Sequence, residues 1–492
     1  MNLVTAFAAS AQEHAEKAAL FWGDSEYSYG AFLGQASLLA GRLRQDFQVQ
    51  PGDRVGVWLK NCPEFVSALF GVLGAGAVVV PINNFLKSQE VEYILRDANI
   101  RVLITERSLL EAAPDLAAAA PQLRFIQIDE FARADAPAAA ALGCDRAASD
   151  LAVIIYTSGT TGRPKGAMLS HGNLLHNVDS CRQVLEAVSF DRFVVLLPMF
   201  HSFMLCVGIL LPLLVGGSIV LIRSLHPPKN VLQEIIQHKA TILPAIPQLF
   251  RALAGAQAPP DLPLRLCISG AAPLPREIQK EFSEKFSVTL LEGYGLSEAS
   301  PVVTINPIHG PWKVGSIGTP IPNVEVSVQN DAGEHLPDGQ IGEICVRGGN
   351  VMQGYWNRSE ETAQALRQGW LLTGDVGYRD TEGYYYITDR KKDMLLVNGI
   401  NVYPREIEEV IYQFPGVKEA AVVGVPDPRK GEQPLAFAVA NDGAPLDEKA
   451  LLQFVRGKLA DYKVPRKVVV LPSLPRNATG KILKTVLRQM QA

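Results

Sequence analysis

The sequence predicts an α/β fold. We expect a large N-terminal domain of parallel α/β subdomains plus a β-rich subdomain, and a small, mobile α+β C-terminal lid domain. The 492 residues correspond to roughly three domains or subdomains of ~150 residues each. Over most of the chain, short β-rich runs alternate with amphipathic helical stretches, which is the pattern of parallel sheets covered on both faces. Over the last hundred residues this pattern changes.

The alternating elements can be followed in chain order. The first unit comprises strand 55–60, a helix from Pro63, strand 77–82, helix 90–99 and strand 101–105. Ala-rich residues 108–149 are expected to form a solvent-facing helix and loop between two subdomains. The next unit comprises strands 151–158, 241–247, 264–270 and 288–295 with helices 231–240 and 275–286. Residues 324–347 are expected to form antiparallel strands of the β-rich subdomain.

One apolar stretch resembles a membrane span. Residues 193–222 contain no Asp, Glu, Lys or Arg and are long enough to cross a bilayer of ~30 Å as a helix. However, Pro198, Pro212 and Gly216-Gly217 divide the stretch into three short runs. Such runs joined by Gly and Pro favour a buried strand–helix–strand unit over a membrane span.

The C-terminal region follows the pattern strand, helix, strand, strand, helix. This pattern predicts a small domain with its own core. We place the N-terminal domain at residues 1–388, a hinge at 389–393 and the lid domain at 394–492. Residues 456–492 contain nine Lys or Arg and one acid, Asp461. A solvated basic face and a lid that closes over phosphates both explain this bias.

Composition excludes several classes of protein. The net charge of −4 argues against a general affinity for nucleic acid. The six cysteines are scattered without a C-x-x-C pair, which suits a reducing compartment and argues against a disulfide framework or a structural zinc site. The N-terminus lacks a basic region before an apolar run, so no signal peptide is predicted. We expect a cytoplasmic protein, with peripheral membrane contact and a homodimer left open.

The strongest chemical signal is YTSGTTGRPKG, residues 156–166. A β-rich run leads into a loop containing three Gly, three Thr, one Ser, one Arg and one Lys. Small residues let backbone N–H groups approach a polyanion, hydroxyls add donors and Lys165 adds charge. The spacing of a Walker P-loop is absent. The loop nevertheless predicts phosphate binding.

This string resembles the phosphate-binding signature of the acyl-adenylate-forming superfamily: acyl-CoA synthetases, carrier-protein adenylation domains and luciferases. Further motifs similar to those of the superfamily follow in the expected order. They are MFHS (199–202), SGAAP (269–273), EGYGLSE (292–298), WLLTGD (370–375), YITDRKKD (386–393) and PRNATGK (475–481). The resemblance covers nearly the whole chain and is greatest to bacterial CoA ligases of medium- or long-chain fatty acids.

The resemblance implies a site for ATP and AMP. The flat ring of Tyr294 is suited to stacking on a purine. The alternative is that Tyr294 is an aromatic residue of the hydrophobic core. Asp375 and Arg390 are similar to the pair that holds the ribose hydroxyls, and a plain ion pair is the alternative. The implied nucleotide-binding residues are Thr157, Ser158, Gly159, Thr160, Thr161, Gly162, Lys165, Gly270, Ala271, Ala272, Glu292, Gly293, Tyr294, Gly295, Ser297, Asp375, Ile387, Arg390 and Lys481.

Catalytic roles are implied in the same way for Lys481, Glu298, His201 and Lys165. Glu298 suits Mg²⁺, which is usually held by one or two carboxylates plus phosphate oxygens, and Thr157 is the second implied metal ligand. His201 is either a satisfied core histidine or a residue at the junction of carboxylate, acyl chain and thiol. We do not expect it to be a general base, because a carboxylate nucleophile is already ionised at pH 7.

The acyl chain and CoA are expected to meet other parts of the chain. The implied acyl pocket comprises His201, Phe203, Val207, Gly270, Gly295 and Gly318. The implied CoA loop comprises Gly399, Ile400 and Asn401, and Lys392 is the implied pivot of the hinge. Position 202 is Ser, and the Asp that characterises the amino-acid-activating branch in its FD-x-S version of this motif is absent, so recognition of an amine is not expected.

The resemblance therefore implies an acid–thiol ligase that uses ATP, Mg²⁺ and coenzyme A. The carboxylate and ATP give acyl-AMP and pyrophosphate, and acyl-AMP and CoA give acyl-CoA and AMP. A medium- or long-chain fatty acid is the expected substrate. An aryl acid of the coumarate type, or a carrier protein as acceptor, is the alternative. A hydrolase, a zinc enzyme and a dinucleotide oxidoreductase are disfavoured because G-x-S-x-G, H-E-x-x-H and G-x-G-x-x-G are absent.

Overall fold

Four β-sheets organise the part of the chain that the structure describes. The structure is a computed structural model that describes residues 1–116, 122–128, 142–158, 164–256, 262–441, 445–476 and 482–490. Within these residues the helices are Leu3–Glu13, Tyr29–Gln45, Glu64–Gly74, Ser88–Asp97, Arg107–Ala112, His171–Val184, Met204–Leu210, Leu211–Leu214, Lys229–Gln237, Pro247–Gly255, Arg276–Phe286, Ser297–Ala299, Ser359–Ala365, Pro404–Tyr412, Glu448–Arg456, Asp461–Lys463 and Lys484–Gln489.

The largest sheet has nine strands among the described residues. Its six central strands run parallel, and antiparallel partners complete both edges. In spatial order they are Thr319–Pro320, Val302–Ile305, Leu290–Gly295, Leu266–Ser269, Ile242–Ala245, Arg192–Val195, Ser218–Leu221, Ala18–Trp22 and Ser25–Ser28. The central strands are buried on both faces, as their uninterrupted apolar runs predict.

The second sheet has seven described strands and carries the phosphate loop. In spatial order they are Gly354–Tyr355, Pro164–Ser170, Leu151–Ser158, Val78–Pro81, Arg54–Trp58, Val102–Thr105 and Arg124–Gln127. The strands on either side of the loop pair antiparallel, with Ser158 opposite Pro164. Ser170 then caps the helix His171–Val184 by accepting a hydrogen bond from the Asn173 N–H, 3.0 Å away.

Two predictions about these sheets were incomplete. The sheets are mixed rather than wholly parallel, because hairpins add antiparallel strands at the edges. Within the Ala-rich region 108–149, the segment Arg124–Gln127 is a strand that pairs parallel with Val102–Thr105. Only Ile126 of this strand is fully buried, so its sequence shows no long apolar run.

The apolar stretch 193–222 is the predicted buried unit. It forms the strand Arg192–Val195, the helical pair Met204–Leu210 and Leu211–Leu214, and the strand Ser218–Leu221. The segment Met204–Leu210 is a π-helix, and all seven of its residues are buried. Among the described residues no helix is long and apolar enough to cross a membrane.

The β-rich subdomain and the C-terminal region each contain a five-stranded sheet in the described chain. The first comprises Val324–Gln329, Gly342–Gly348, Trp370–Arg379, Leu366–Arg367 and Tyr385–Arg390, all antiparallel as predicted. The second comprises Ile400–Val402, Leu395–Val397, Gly431–Ala440, Val417–Asp427 and Val468–Val470. A separate apolar cluster between residues 395 and 468 supports the second sheet, consistent with a small C-terminal domain that has its own core.

Candidate active site

The predicted nucleotide residues lie where strands of two different sheets end. Thr157 stands near the carboxyl end of Leu151–Ser158, and Gly270 directly follows Leu266–Ser269. Glu292 and Tyr294 lie at the carboxyl end of Leu290–Gly295. Ligands of open α/β sheets bind in the crevice outside the carboxyl ends of the strands. The candidate site therefore lies between the nine-stranded and seven-stranded sheets.

Glu298 links the two sheets through its side-chain contacts. It sits in the single turn Ser297–Ala299, and its Oε1 lies 3.4 Å from the Thr157 hydroxyl. The Tyr355 hydroxyl donates to the same oxygen at 2.9 Å. The Lys165 ammonium lies 5.4 Å from the centre of the Tyr355 ring, which suits a cation–π contact. The phosphate loop's lysine and the acid are thus linked through one tyrosine.

This arrangement fits Mg²⁺. The described donors are one carboxylate and one hydroxyl, both hard oxygens. Mg²⁺ is typically bound by one or two carboxylates plus substrate phosphates. Glu298 and Thr157 would hold the ion, and burial, reinforced by the Glu298 charge, raises the pKa of the Tyr355 hydroxyl so that it stays a donor.

Asp375 and Arg390 form a second group with Tyr294. The Arg390 Nε lies 3.0 Å from Asp375 Oδ1, and the Tyr294 hydroxyl donates to Oδ2 at 2.6 Å. Asp375 and Arg390 are cross-strand partners in the β-rich subdomain, and the Asp375 side chain is 4% exposed. The negative charge of Asp375 raises the pKa of Arg390. The structure brings the predicted ribose pair together and fixes the predicted adenine ring beside it.

Glu292 is deeply buried behind this group. Its Oε1 accepts a hydrogen bond from the Leu274 N–H at 3.1 Å and lies 4.0 Å from Nη2 of Arg405. Its Oε2 is buried without a hydrogen-bond partner among the described residues. Burial raises the pKa of Glu292 from its ordinary value of 4.5 to about 7.

The raised pKa of Glu292 predicts a pH-dependent stability. Because the native state holds this proton more tightly, stability falls as pH rises from about 4.5 to 7, and the full loss persists above 7. Glu292→Gln removes the buried charge, so it should stabilise the fold by up to about 3 kcal/mol at pH 8. At about pH 4, below the pKa of the unfolded state, the gain should vanish. Thermal unfolding at both pH values checks this, with Glu281→Gln, an exposed carboxyl, as the control. An equal gain at both pH values would contradict it.

His201 lies at the start of the buried helical unit. Its Nδ1 accepts a hydrogen bond from the Phe203 backbone N–H at 3.3 Å. The next residue, Ser202, has its hydroxyl 2.9 Å from that of Ser297. The acyl-side motif is therefore tied directly to the loop that carries Glu298.

The predicted acyl-pocket residues separate into two groups. Phe203 and Val207 are buried, and the Phe203 ring lies 3.3 Å from the position that a Cβ on Gly270 would occupy. In contrast, a Cβ on Gly295 would lie 2.1 Å from the Pro301 carbonyl oxygen. One on Gly318, where φ is +87°, would lie 2.0 Å from the Ile305 backbone. Close backbone packing therefore accounts for glycine at these two positions, and no acyl pocket is needed to explain them.

The proposed CoA loop and hinge occupy the start of the C-terminal region. Gly399 forms the tip of a hairpin between Leu395–Val397 and Ile400–Val402, and Gly399, Ile400 and Asn401 are all exposed. Within residues 389–393 the two aspartates are buried, whereas Lys391 and Lys392 are exposed. The hinge segment is thus only partly a solvated turn.

Other predicted residues are placed with less detail. Ala271, with φ of +64°, and Ala272 follow the strand that ends at Ser269. Ile387 belongs to the strand Tyr385–Arg390, and its carbonyl oxygen accepts from Arg405 Nη1 at 3.0 Å. The side chain of Ser158 is outside the part of the protein that the structure describes. The same holds for the residues Gly159, Thr160, Thr161, Gly162 and Lys481.

Sequence reasoning missed three contributors. Tyr355 and Arg405 are described above, and the third is Asp97, whose Oδ2 accepts from the Tyr156 hydroxyl at 2.6 Å. Asp97 also pairs with Arg358 at 2.7 Å. This group anchors the strand that enters the phosphate loop. Its members are far apart in sequence, so no spacing reveals them, although the G-Y-W string at Gly354 is a local aromatic signal for Tyr355.

Family models identify the protein class. The model described as AMP-binding enzyme matches residues 7–356. The model described as AMP-binding enzyme C-terminal domain matches residues 406–481. The chain belongs to the AMP-binding enzyme family.

Relatives of this AMP-binding enzyme are CoA ligases. The long-chain-fatty-acid–CoA ligase of Bacillus subtilis (strain 168) is 36% identical over 519 residues, covering 96% of this chain and 92% of that protein. The feruloyl-CoA synthase of Amycolatopsis sp is 38% identical over 472 residues, covering 95% and 94%. ATP-bound MatB from Rhodopseudomonas palustris is 34% identical with a TM-score of 0.91, covering 100% and 99%. Apo MatB gives a TM-score of 0.79 at the same coverage.

The protein is an AMP-forming acyl-CoA ligase, and its substrates and cofactor include ATP, CoA and Mg²⁺.

Proposed function

We propose that this enzyme activates a medium- or long-chain fatty acid in two half-reactions within one site. The observation that carries the substrate class is the buried apolar unit from Phe203 to Leu213, which adjoins His201 and contains no charged side chain. A polar or charged acid would leave its own groups unpaired there, whereas an alkyl chain gains from burial. The fatty-acid ligase of B. subtilis supports this proposal.

In the first half-reaction the substrate carboxylate attacks the α-phosphorus of ATP, and pyrophosphate leaves. The carboxylate is already ionised, so the enzyme must offset repulsion between anions rather than activate a nucleophile. Lys165, Lys481 and the loop N–H groups supply positive charge to the phosphates. Mg²⁺, when bound by Glu298 and Thr157, adds charge at the triphosphate. Asp375 and Arg390 orient the ribose.

In the second half-reaction the CoA thiolate attacks the carbonyl carbon of acyl-AMP, and AMP leaves. We assign the exposed hairpin of Gly399, Ile400 and Asn401 to this step. That hairpin and Lys481 both belong to residues 394–492 and are ~80 residues apart, so they act in turn if this domain rotates about residues 389–393. The higher TM-score against ATP-bound than against apo MatB supports the view that this structure has the orientation for the first step.

A substrate screen tests the proposed function. Pyrophosphate release should be measured with acetate, hexanoate, dodecanoate, palmitate, benzoate and coumarate, in the presence of CoA. The proposal predicts the highest kcat/KM for dodecanoate or palmitate. Higher kcat/KM with coumarate would overturn the alkyl assignment in favour of the aryl alternative, which the feruloyl-CoA synthase relative favours. Replacing CoA by a phosphopantetheinylated carrier protein tests the other acceptor.

Lys392→Pro tests the pivot. Proline fixes φ near −65° and restricts the preceding residue, so it should hold one domain orientation. Among the described residues, the Lys392 N–H has no backbone acceptor, so its loss removes no such bond. We expect acyl-AMP formation to survive and conversion of acyl-AMP plus CoA to fall by ~10-fold or more, because a blocked conformational step then limits the rate. Lys391→Ala is the control for loss of a neighbouring charge. Wild-type rates in both steps would place the pivot elsewhere.

A further inference from the structure

Arg405 joins parts of the protein that lie on opposite sides of the hinge. It lies in the first turn of the helix Pro404–Tyr412, within the C-terminal domain, and its side chain is only 11% exposed. Its Nη2 lies 4.0 Å from Glu292 Oε1, and its Nη1 donates to the Ile387 carbonyl at 3.0 Å. Glu292 and Ile387 both precede residues 389–393. A guanidinium from the C-terminal domain therefore reaches the strand that carries the adenine-site residues.

The remaining contacts hold both the backbone and the side chain of Arg405 at this boundary. The Arg405 N–H donates to Asp389 Oδ2 at 2.9 Å, and Arg405 Nε lies 3.9 Å from Glu409 Oε1 on the same helix. A second contact across the same boundary is made by Arg251, whose Nη1 donates to the Lys418 carbonyl. The boundary is thus held by polar contacts to defined acceptors.

Rotation of the C-terminal domain must break the contacts of Arg405 with Glu292 and Ile387. Glu292 would then keep only the Leu274 N–H among its described polar contacts. A buried carboxylate that loses its cationic neighbour is strongly disfavoured. The orientation described here is therefore stabilised relative to any orientation that removes Arg405 from this position.

We propose that Arg405 is a positioning residue that holds the C-terminal domain in the orientation for acyl-AMP formation by pairing with Glu292. This inference rests on the proposed two-step function. Arg405 contacts no reacting atom; it acts by setting the fraction of molecules in which Lys481 can reach the α-phosphate. Releasing Arg405 should favour the other orientation.

The two half-reactions of the full-length enzyme test this role. Arg405→Ala should lower dodecanoate-dependent pyrophosphate release by about tenfold, within the usual range of coupling between sites. Conversion of supplied dodecanoyl-AMP plus CoA should be unchanged or faster. Arg405→Lys keeps the charge and should restore part of the first activity. The matched control is Arg456→Ala, which removes an exposed arginine from the helix Glu448–Arg456 of the C-terminal domain.

A double-mutant cycle assigns the effect to Glu292. With Glu292→Gln in the background, Arg405→Ala should cause a much smaller further loss of pyrophosphate release, because the charge that it pairs with is absent. Fully additive effects would overturn the proposal. An equal fall of both half-reactions in Arg405→Ala, with no rescue by Lys, would also overturn it and assign a structural role.

A measurement without substrate separates this proposal from the proposed function. Trypsin cleavage after the exposed Lys392 should be faster in Arg405→Ala than in the parent or in Arg456→Ala, because the connector is less constrained. If no tested acid is activated but cleavage is faster, the substrate proposal fails and the role of Arg405 in domain orientation stands. If the acids are activated and cleavage is unchanged, the role of Arg405 is overturned.

Discussion

Lys481→Ala is expected to lower carboxylate-dependent pyrophosphate release by ~10³-fold, the upper range for removal of a main electrostatic stabiliser. The conversion of supplied acyl-AMP and CoA should continue. The described residues on both sides of Lys481 are attached to the C-terminal domain: Arg476 pairs with Glu419 at 2.8 Å, and Lys484 with Glu408 at 2.9 Å. Arg476 and Ile482 also form a β-bridge. Because Lys481 lies between these residues in sequence, we expect it to move with this domain, so that its charge serves only the orientation that brings it to the phosphates.

The measurement is a comparison of both half-reactions in the same preparation. Lys467→Ala removes an exposed lysine from the same domain and should leave both rates at the parental level. Equal losses in both half-reactions of Lys481→Ala would assign this lysine a structural role.

Glu298→Gln is expected to lower the first half-reaction by ~10²-fold or more and to shift the Mg²⁺ titration to higher concentration. The substitution keeps the shape of the side chain and its contact with Tyr355, because an amide oxygen can also accept the hydrogen bond from the Tyr355 hydroxyl. What it removes is the negative charge near Thr157. The loss should therefore be partly recovered at high Mg²⁺.

Glu360→Gln is the matched control because it removes an exposed carboxylate from the nearby helix Ser359–Ala365. Its Mg²⁺ titration should match that of the parent. If the titration of Glu298→Gln also matches, Glu298 is not a metal ligand.

The sheets were predictable wherever a strand is buried on both faces. Residues 193–195 of the strand Arg192–Val195, and the strand Ile242–Ala245, are examples, because burial on both sides leaves an uninterrupted apolar string. The edge strand Arg124–Gln127 was missed because only one of its side chains is fully buried. The antiparallel edges were also missed, since strand direction depends on the connection rather than on residue pattern.

The site was predictable where a motif keeps its reacting groups within a few residues. The pairing of Asp375 with Arg390 was expected, and the structure places them 3.0 Å apart. Tyr355 and Arg405 were not predicted because their partners are 57 and 113 residues away in sequence. The glycines at 295 and 318 have a second explanation, backbone packing, that only coordinates reveal. The roles assigned to the site residues stay predictions until the variants are measured.

The π-helix Met204–Leu210 is a position at which this fold can lose one residue and keep the helix. A π turn holds one more residue than an α turn, so deleting one residue there would tighten it to ordinary helix without extending any loop. The residues on either side of the deletion would keep their orientation, because the wider π turn is what accommodates the extra residue. Phe203 precedes this segment and faces Gly270, so such a deletion would leave its ring in place and redirect only side chains within Met204–Leu210. A lineage carrying this fold could therefore reshape the acyl side of the site by a single codon loss, while the phosphate loop and Glu298 keep their positions.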